Sequence, residues 1–423
     1  MKAAWAACSV VVVLSIWSKT AVGEENRGGT PDGWITGSTR FNYFHSDNHL
    51  NDTTGFPGTT VELKLEPALG DNLNAKFEVR GTNPNLANHG TAVVSLTEGY
   101  ITWQAETFRA RLGKQIVAWG RTDGINPTDN LTPRDYVLLL PFEEDQRFGT
   151  PALTVDRPLN DEFSLAFFTT PFFEPSKIPL QQDQAVFVEQ KPGHKLSDSE
   201  FGVRLNRAGG HIDWSASYFH GYSLFPDFRP AGFTATLPIL SLNYPKMDVF
   251  GTDFSFNLGR YGVRGEVAYH RITEKNNNDP FLRKPYLYYV IGADRTFFDT
   301  FNINLQWFGR FVQNYRNPES ISDTTERTVA VLNATLNGQQ DKYSDGLTAR
   351  ISKTWLNETL KAELLAVVHR TRHNWYLRPL LTYDANDHVK LSIGATIYRG
   401  IDDTFFGRLK KNQGAFVELR YTF

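Results

Sequence analysis

A chain of 423 residues would ordinarily hold two or three soluble domains of ~100–200 residues each. Its composition argues otherwise: 31 Phe, 17 Tyr and 9 Trp accompany 2 Met and 1 Cys, at a mean hydropathy of −0.38. That polarity excludes a bundle of membrane-spanning helices, each of which needs ~20 apolar residues, and a net charge of −2 leaves no electrostatic footprint for a nucleic-acid partner.

Lys2 precedes an apolar stretch from Ala3 to Trp17, followed by Ala21, Val22 and Gly23 ahead of Glu24. This is the pattern of a secretory signal peptide over residues 1–23, and the short apolar core disfavours an uncleaved anchor. Cys8 falls inside it, so the exported chain carries no cysteine and no disulfide. Residues 24–33 read as a short periplasmic lead-in to a barrel over 34–423.

From there period-two patterning recurs to the end of the chain. Val61, Leu63 and Leu65 alternate with Glu62, Lys64 and Glu66, and Phe301, Ile303, Leu305 and Trp307 with Asn302, Asn304 and Gln306. Val389, Leu391, Ile393, Ala395 and Ile397 alternate with Lys390, Ser392, Gly394, Thr396 and Tyr398. One face of each strand is apolar and the other polar; helical periodicity is not sustained anywhere. The pattern predicts eighteen strands, starting near Trp34, Thr60, Asn72, Ala92, Phe108, Pro151, Phe163, Glu200, His211, Met247, Tyr261, Tyr286, Thr300, Asp345, Thr359, Trp375, Val389 and Gln413. Their connections alternate between short turns of about 4 residues and long loops of about 20, among them 45–58, 118–150, 171–199, 221–246 and 312–344. A soluble sandwich has no reason to alternate loop lengths. A transmembrane antiparallel β-barrel of 16 to 18 strands does, with short periplasmic turns and long extracellular loops. Unpaired backbone is costly in hydrocarbon, so such a sheet must close. The last strand agrees: Ala415, Val417, Leu419, Tyr421 and Phe423 share a face, and a terminal Phe suits recognition by the barrel-assembly machinery.

Loop 118–150 is the leading functional candidate. It holds Arg121, Asp123, Asp129, Arg134, Asp135, Glu143, Glu144 and Arg147 among turn-forming Gly and Pro. Folded inward, these charges would form a pore constriction; folded outward, the loop is a solvated cap held by its own ion pairs. A calcium site from Asp123, Asp129 and Asp135 is weakly specified, and no metal or other cofactor is expected. The polar strand faces should line the lumen, since Arg or Lys facing lipid at the midplane costs ~2–4 kcal/mol. Arg204, Arg264, Glu266, Arg310, Arg350, Glu363, Arg378, Glu418 and Arg420 are the expected lining. The strand at Tyr286–Phe297 is ambiguous, apolar on both faces with Asp294 beside Arg295. Loop 221–246 carries Phe225, Phe228, Phe233, Leu237, Ile239 and Leu240; packing on its own barrel ranks ahead of solute binding or a protomer contact. No Ser/His/Asp arrangement can be placed, and His45 with His49 makes a poor metal pair in extended chain. No catalytic residue is assigned, and an enzyme is not expected.

Several short motifs together resemble a porin-like family of Gram-negative outer-membrane barrels catalogued as a domain of unknown function. They are Gly113-Lys-Gln-Ile-Val-Ala-Trp-Gly120 with Asp123 and Asn126-Pro-Thr-Asp129, Gly202-Val-Arg-Leu205, Asp213-Trp214, Gly265-Glu-Val-Ala268, Arg378-Pro379 and Arg420-Tyr-Thr-Phe423. The resemblance spans nearly the whole exported chain. It implies a barrel, and for some members a link to trans-envelope export or uptake of hydrophobic compounds.

The sequence thus predicts a porin-like channel in the outer membrane of a Gram-negative bacterium, passing small solutes by diffusion, with hydrophobic or aromatic organic compounds in view. The competing expectation is a non-conducting barrel that docks partners of a trans-envelope export or lipid transport system. Expected partners are outer-membrane lipid and lipopolysaccharide, the barrel-assembly machinery through Phe423 and a small-molecule solute; a homotrimer is compatible with the pattern.

Overall fold

The computed structural model describes residues 34–50, 53–86, 91–137, 142–180, 185–193, 195–274 and 279–423. The expected signal peptide and the lead-in 24–33 lie outside the described residues.

Eighteen strands form the wall. The first nine are Ile35–Leu50, Thr53–Leu65, Leu73–Asn83, Val93–Gln104, Arg109–Gln115, Thr150–Pro158, Phe163–Thr170, Glu200–Arg207 and Asp213–Tyr222. The second nine are Lys246–Leu258, Tyr261–Ile272, Tyr286–Phe297, Phe301–Val312, Tyr343–Trp355, Leu360–His369, Asn374–Asp384, Val389–Arg399 and Gly414–Thr422. Each pairs antiparallel with its neighbours, and the last closes on the first through Arg40↔Arg420 and Asn42↔Glu418. Closure leaves no edge, as a membrane barrel requires. The outward faces are apolar: Leu305, Trp307, Leu347, Ile393, Val417 and Leu419 are all exposed on the isolated chain. Inward faces carry the polar partners, Asn304 and Gln306 on the strand that presents Leu305 and Trp307 outward. Tight turns close one end; between the paired Phe297 and Phe301, Phe298 and Asp299 both take positive φ (52° and 60°), the twist such a hairpin turn needs.

Three expectations are corrected. The segment 45–58 is not a loop: its two strands stay paired through His45↔Gly55 and on to Leu50↔Thr53. The long connections are not free of regular structure either. Strands Val186–Gln190, Asp227–Phe233 and Pro238–Asn243 form a second small sheet, and Thr324–Leu336 is an α-helix capped by Asp323, whose side chain accepts from the Glu326 N–H at 2.8 Å. Phe228, Leu240, Leu242 and Val329 bury one core between them, so the apolar loop 221–246 packs within the molecule. Asp227 and Arg283 pair in that cap, with the Arg283 Nε donating at 2.9 Å.

The third correction concerns the interior. Period-two reasoning makes the inner face polar throughout, yet a second apolar core sits inside the wall. Trp119 and Leu131 of loop 118–150 pack on Ala152, Phe168, Phe219, Met247, Val249, Ala268 and Ile272 of the strands between residues 150 and 272. Those inward positions face protein rather than water.

Candidate functional site

Loop 118–150 leaves the wall after Arg109–Gln115 and returns at Thr150–Pro158. Its first half is pinned by one carboxylate of the eleventh strand, five places round the ring from the sixth. Glu266 Oε1 accepts from the Arg121 N–H (2.5 Å), the Thr122 N–H (2.7 Å), the Thr122 hydroxyl (2.6 Å) and the Asn126 side-chain amide (3.2 Å). Oε2 accepts from the Thr128 N–H at 3.4 Å and its hydroxyl at 2.9 Å. Backbone and side-chain donors so converged make an anion-binding nest, and hydrogen bonds to a charged acceptor are the strong kind. The turn is possible because Gly120 has φ +106° and no side chain; a Cβ there would lie 2.6 Å from Glu266 Oε1. Gly202 likewise leaves room for the Trp119 ring, which a Cβ would approach to 2.7 Å.

Around this nest the ion pairs interlock. Arg121 Nε reaches Asp253 at 2.6 Å, and Asp253 also pairs with Arg204 at 2.9 Å. Asp123 pairs with Arg350 at 2.7 Å, and Arg350 with Glu363 at 2.9 Å. Asp129 takes Arg147 at 2.5 Å with Arg134 at 3.8 Å, and Asp135 takes Lys177 at 2.7 Å. Asp123, Asp129 and Asp135 are each paired with different bases.

The second half of the loop is held on the other side. Asp145 accepts from Arg40 at 2.6 Å, its carbonyl accepts from Arg80 at 2.6 Å, and Glu62 bridges Arg40 and Arg80 at 2.6 Å each. Arg420 lies 4.0 Å from Asp145 and 3.2 Å from Glu418, with its guanidinium over the Phe142 ring at 4.9 Å. Glu143 and Glu144 lie on the short helical turn Glu143–Gln146. In an eighteen-strand ring the first strand, which bears Arg40, stands opposite the tenth, which bears Asp253. A loop bound to both therefore crosses the lumen.

The remaining lining candidates are inward as well. Arg264 pairs with Asp294 at 2.6 Å, which resolves the ambiguous strand: Tyr286, Tyr288 and Asp294 point inward, and Arg295 lies outward over Tyr261 and Phe297. Arg310 sits over the Tyr286 and Tyr288 rings at 4.7 and 4.4 Å and donates to the Asn337 carbonyl at the end of the helix. Arg378 is buried on the inner face beside the stacked pair Tyr376 and Tyr398, whose centroids lie 5.2 Å apart. Sequence reasoning missed these rings and Phe406, which stacks on Tyr376 at 5.7 Å from the short helix Phe405–Arg408. The signal was there: Tyr376 and Tyr398 occupy polar-face positions of their strands.

These features define a closed transmembrane barrel of eighteen antiparallel strands whose lumen is crossed by its own loop 118–150. Its residues 42–423 match the model of a family described as a protein of unknown function (DUF1302), and the chain belongs to that family. No curated protein matches it. Among solved structures it is similar to three proteins of Pseudomonas aeruginosa. OpdL is 11% identical, with a TM-score of 0.53 over 93% of this chain and 99% of that one. OccK5 (OpdH) is 9% identical, with 0.54 over 92% and 96%. OccK11 (OpdR) is 9% identical, with 0.52 over 92% and 95%. At these identities the likeness is one of fold.

Proposed function

We propose that the protein is a porin-like channel of the Gram-negative outer membrane, exported by its N-terminal signal and passing small solutes by passive diffusion past loop 118–150. The observation that carries the reading is the lumen-crossing geometry: a barrel of this strand number encloses water unless loops fill it, and here a loop pinned on opposite walls narrows it. The apolar side of the loop is packed on the strands between residues 150 and 272. The route then runs along the wall of residues 343–422, where Arg350, Glu363 and Arg420 present both signs of charge, Glu418 lying fully buried beside Arg420. Charged rims of this kind select by sign. Tyr376, Tyr398 and Phe406 add aromatic surface on the same side, which suits aromatic organic solutes. As a channel the protein carries out no covalent chemistry. Its terminal Phe423 serves the assembly machinery, and a homotrimer is the assembly that accords with this reading.

Planar-bilayer recording of the purified protein tests the reading. Steady conductance steps, with uptake of aromatic acids into swelling liposomes exceeding that of sugars of equal size, support it. A bilayer that stays silent, and remains so after deletion of 121–147, overturns conduction in favour of a docking barrel.

A further inference from the structure

Two places on the outward face share one constellation. In the first, Asp248 is buried to 3% of its side chain although it points away from the lumen. It accepts from the Tyr218 hydroxyl at 2.8 Å and from Arg271 Nε at 3.0 Å, and meets His220 Nδ1 at 2.7 Å. Arg271 is its direct cross-strand partner and stays 56% exposed. Lys246 lies over the Tyr222 ring at 5.4 Å. In the second, Asp345 is buried to 5%. It accepts from Trp307 Nε1 at 3.1 Å and pairs with Arg370 at 2.8 Å, and the Arg370 N–H donates to the Asp345 carbonyl at 2.9 Å. Arg370 is 72% exposed, and Lys342 lies over the Phe311 ring at 5.9 Å.

The parts correspond one to one. Two outward aromatics four residues apart stand on one strand, a buried aspartate near the start of the next, and an arginine at the end of the third. A lysine over the second ring completes each set. All of this lies at the long-loop end, where such barrels meet the outer leaflet. A buried carboxylate there holds its arginine at the level where lipid headgroups begin, and lysine plus arginine against one aspartate leave the second set net cationic; in the first, Asp198 accepts from the Tyr222 hydroxyl at 3.4 Å and offsets the excess. Directly below the second set the wall is hollowed. Ala349 and Ala366 face each other across the ladder, and with Ile291, Leu305, Trp307 and Leu347 they line an apolar groove of about 460 Å³. Trp307 belongs to both features.

We propose that the second constellation binds a phosphate group of an outer-leaflet phosphorylated glycolipid, and that the groove below it takes one of the acyl chains. Phosphate matches the paired cations, and a trough of small residues in an otherwise bulky wall matches a methylene chain. The inference rests on the membrane placement proposed above but not on conduction, so its test reads lipid binding alone.

Native mass spectrometry of the detergent-purified barrel, titrated with diphosphorylated hexa-acyl lipid A, measures it. Lys342→Gln should weaken binding about fivefold, since a cation near a headgroup surface contributes ~1 kcal/mol. The charge-balanced double variant D345N/R370Q should do the same without leaving a buried charge unpaired. Ala366→Phe should weaken lipid A with and without its phosphates alike, because it fills the groove. Heat-modifiable gel mobility confirms that each variant keeps its barrel. Wild-type affinity in all three variants overturns the proposal. So does equal binding of phosphatidylglycerol, or a high-yield A366C–A366C crosslink in native membranes, which would give the groove to a second copy of the chain.

Discussion

The two halves of loop 118–150 are anchored with opposite polarity. In the first half the wall supplies the main carboxylates, Glu266 and Asp253, and the loop the donors, with the partly exposed pair of Asp123 and Arg350 the exception. In the second half the loop supplies the carboxylate of Asp145, and the wall supplies Arg40 and Arg80. The first half depends on one side chain collecting at least six donors. The second is a shared network in which Glu62 also neutralises both arginines. The first arrangement is therefore brittle and the second redundant: removing one group undoes the former and leaves the latter mostly paired.

The largest expected effect follows from this difference. Glu266→Ala deprives converged donors of their acceptor, a loss of about 3–5 kcal/mol for a buried charged network, and should free the loop without opening the barrel. A crosslink reports it cleanly because the chain's single cysteine, Cys8, lies far along the sequence from both partners. A Cβ at Gly251 would lie 3.4 Å from the Thr128 Cβ, close to the ~3.5–4.5 Å of disulfides. The pair T128C/G251C should oxidise readily in the wild-type background and poorly with E266A, where open-channel current should also rise and become noisy. Equal crosslinking in both backgrounds would refute the pin. Next comes Gly202→Ala, whose methyl meets the Trp119 ring; overpacking of about 1–3 kcal/mol should lower the temperature at which the barrel loses its heat-modifiable mobility. Asp145→Asn should cost less than Glu266→Ala in the same crosslinking assay, about 1–2 kcal/mol, because Arg40 and Arg80 keep Glu62. If D145N proves the more damaging, the second half is the brittle one. The smallest effect on stability belongs to Asp123→Asn. Its pair with Arg350 is about a third exposed and worth ~0–1 kcal/mol, so the barrel should melt unchanged. The reversal potential in a salt gradient should instead move toward anions.

Much of this site was legible in part. Arg121, Asp123, Asp129, Arg134, Asp135 and Arg147 stand out as charges in a Gly- and Pro-rich loop, and Glu266 as a carboxylate on a polar face. Nothing in either segment couples them, because the bonds between them span up to 145 residues of chain. The structure also joins two motifs that look separate in the sequence: the turn Gly120–Asp129 and Gly265-Glu-Val-Ala268 are the two sides of one lock. The helix Thr324–Leu336 escaped period-two reasoning because its apolar side is completed by Phe228 and Leu242 of another loop. Its own four threonines and Asn333 weaken the helical signal. The outward aspartates Asp248 and Asp345 could not be read as buried, since their cover comes from neighbouring strands.

What the sequence determined by itself is the closed barrel and its two unlike ends. Alternation of apolar and polar residues is a property of each strand alone, alternating connection length is a property of order along the chain, and a sheet in hydrocarbon must close. Where loop 118–150 goes, which inward positions are dry, and which arginine meets which carboxylate belong to the tertiary structure. Those outcomes rest on contacts between residues far apart in sequence, and a pairing energy exists only once the wall has brought the partners within a few ångströms.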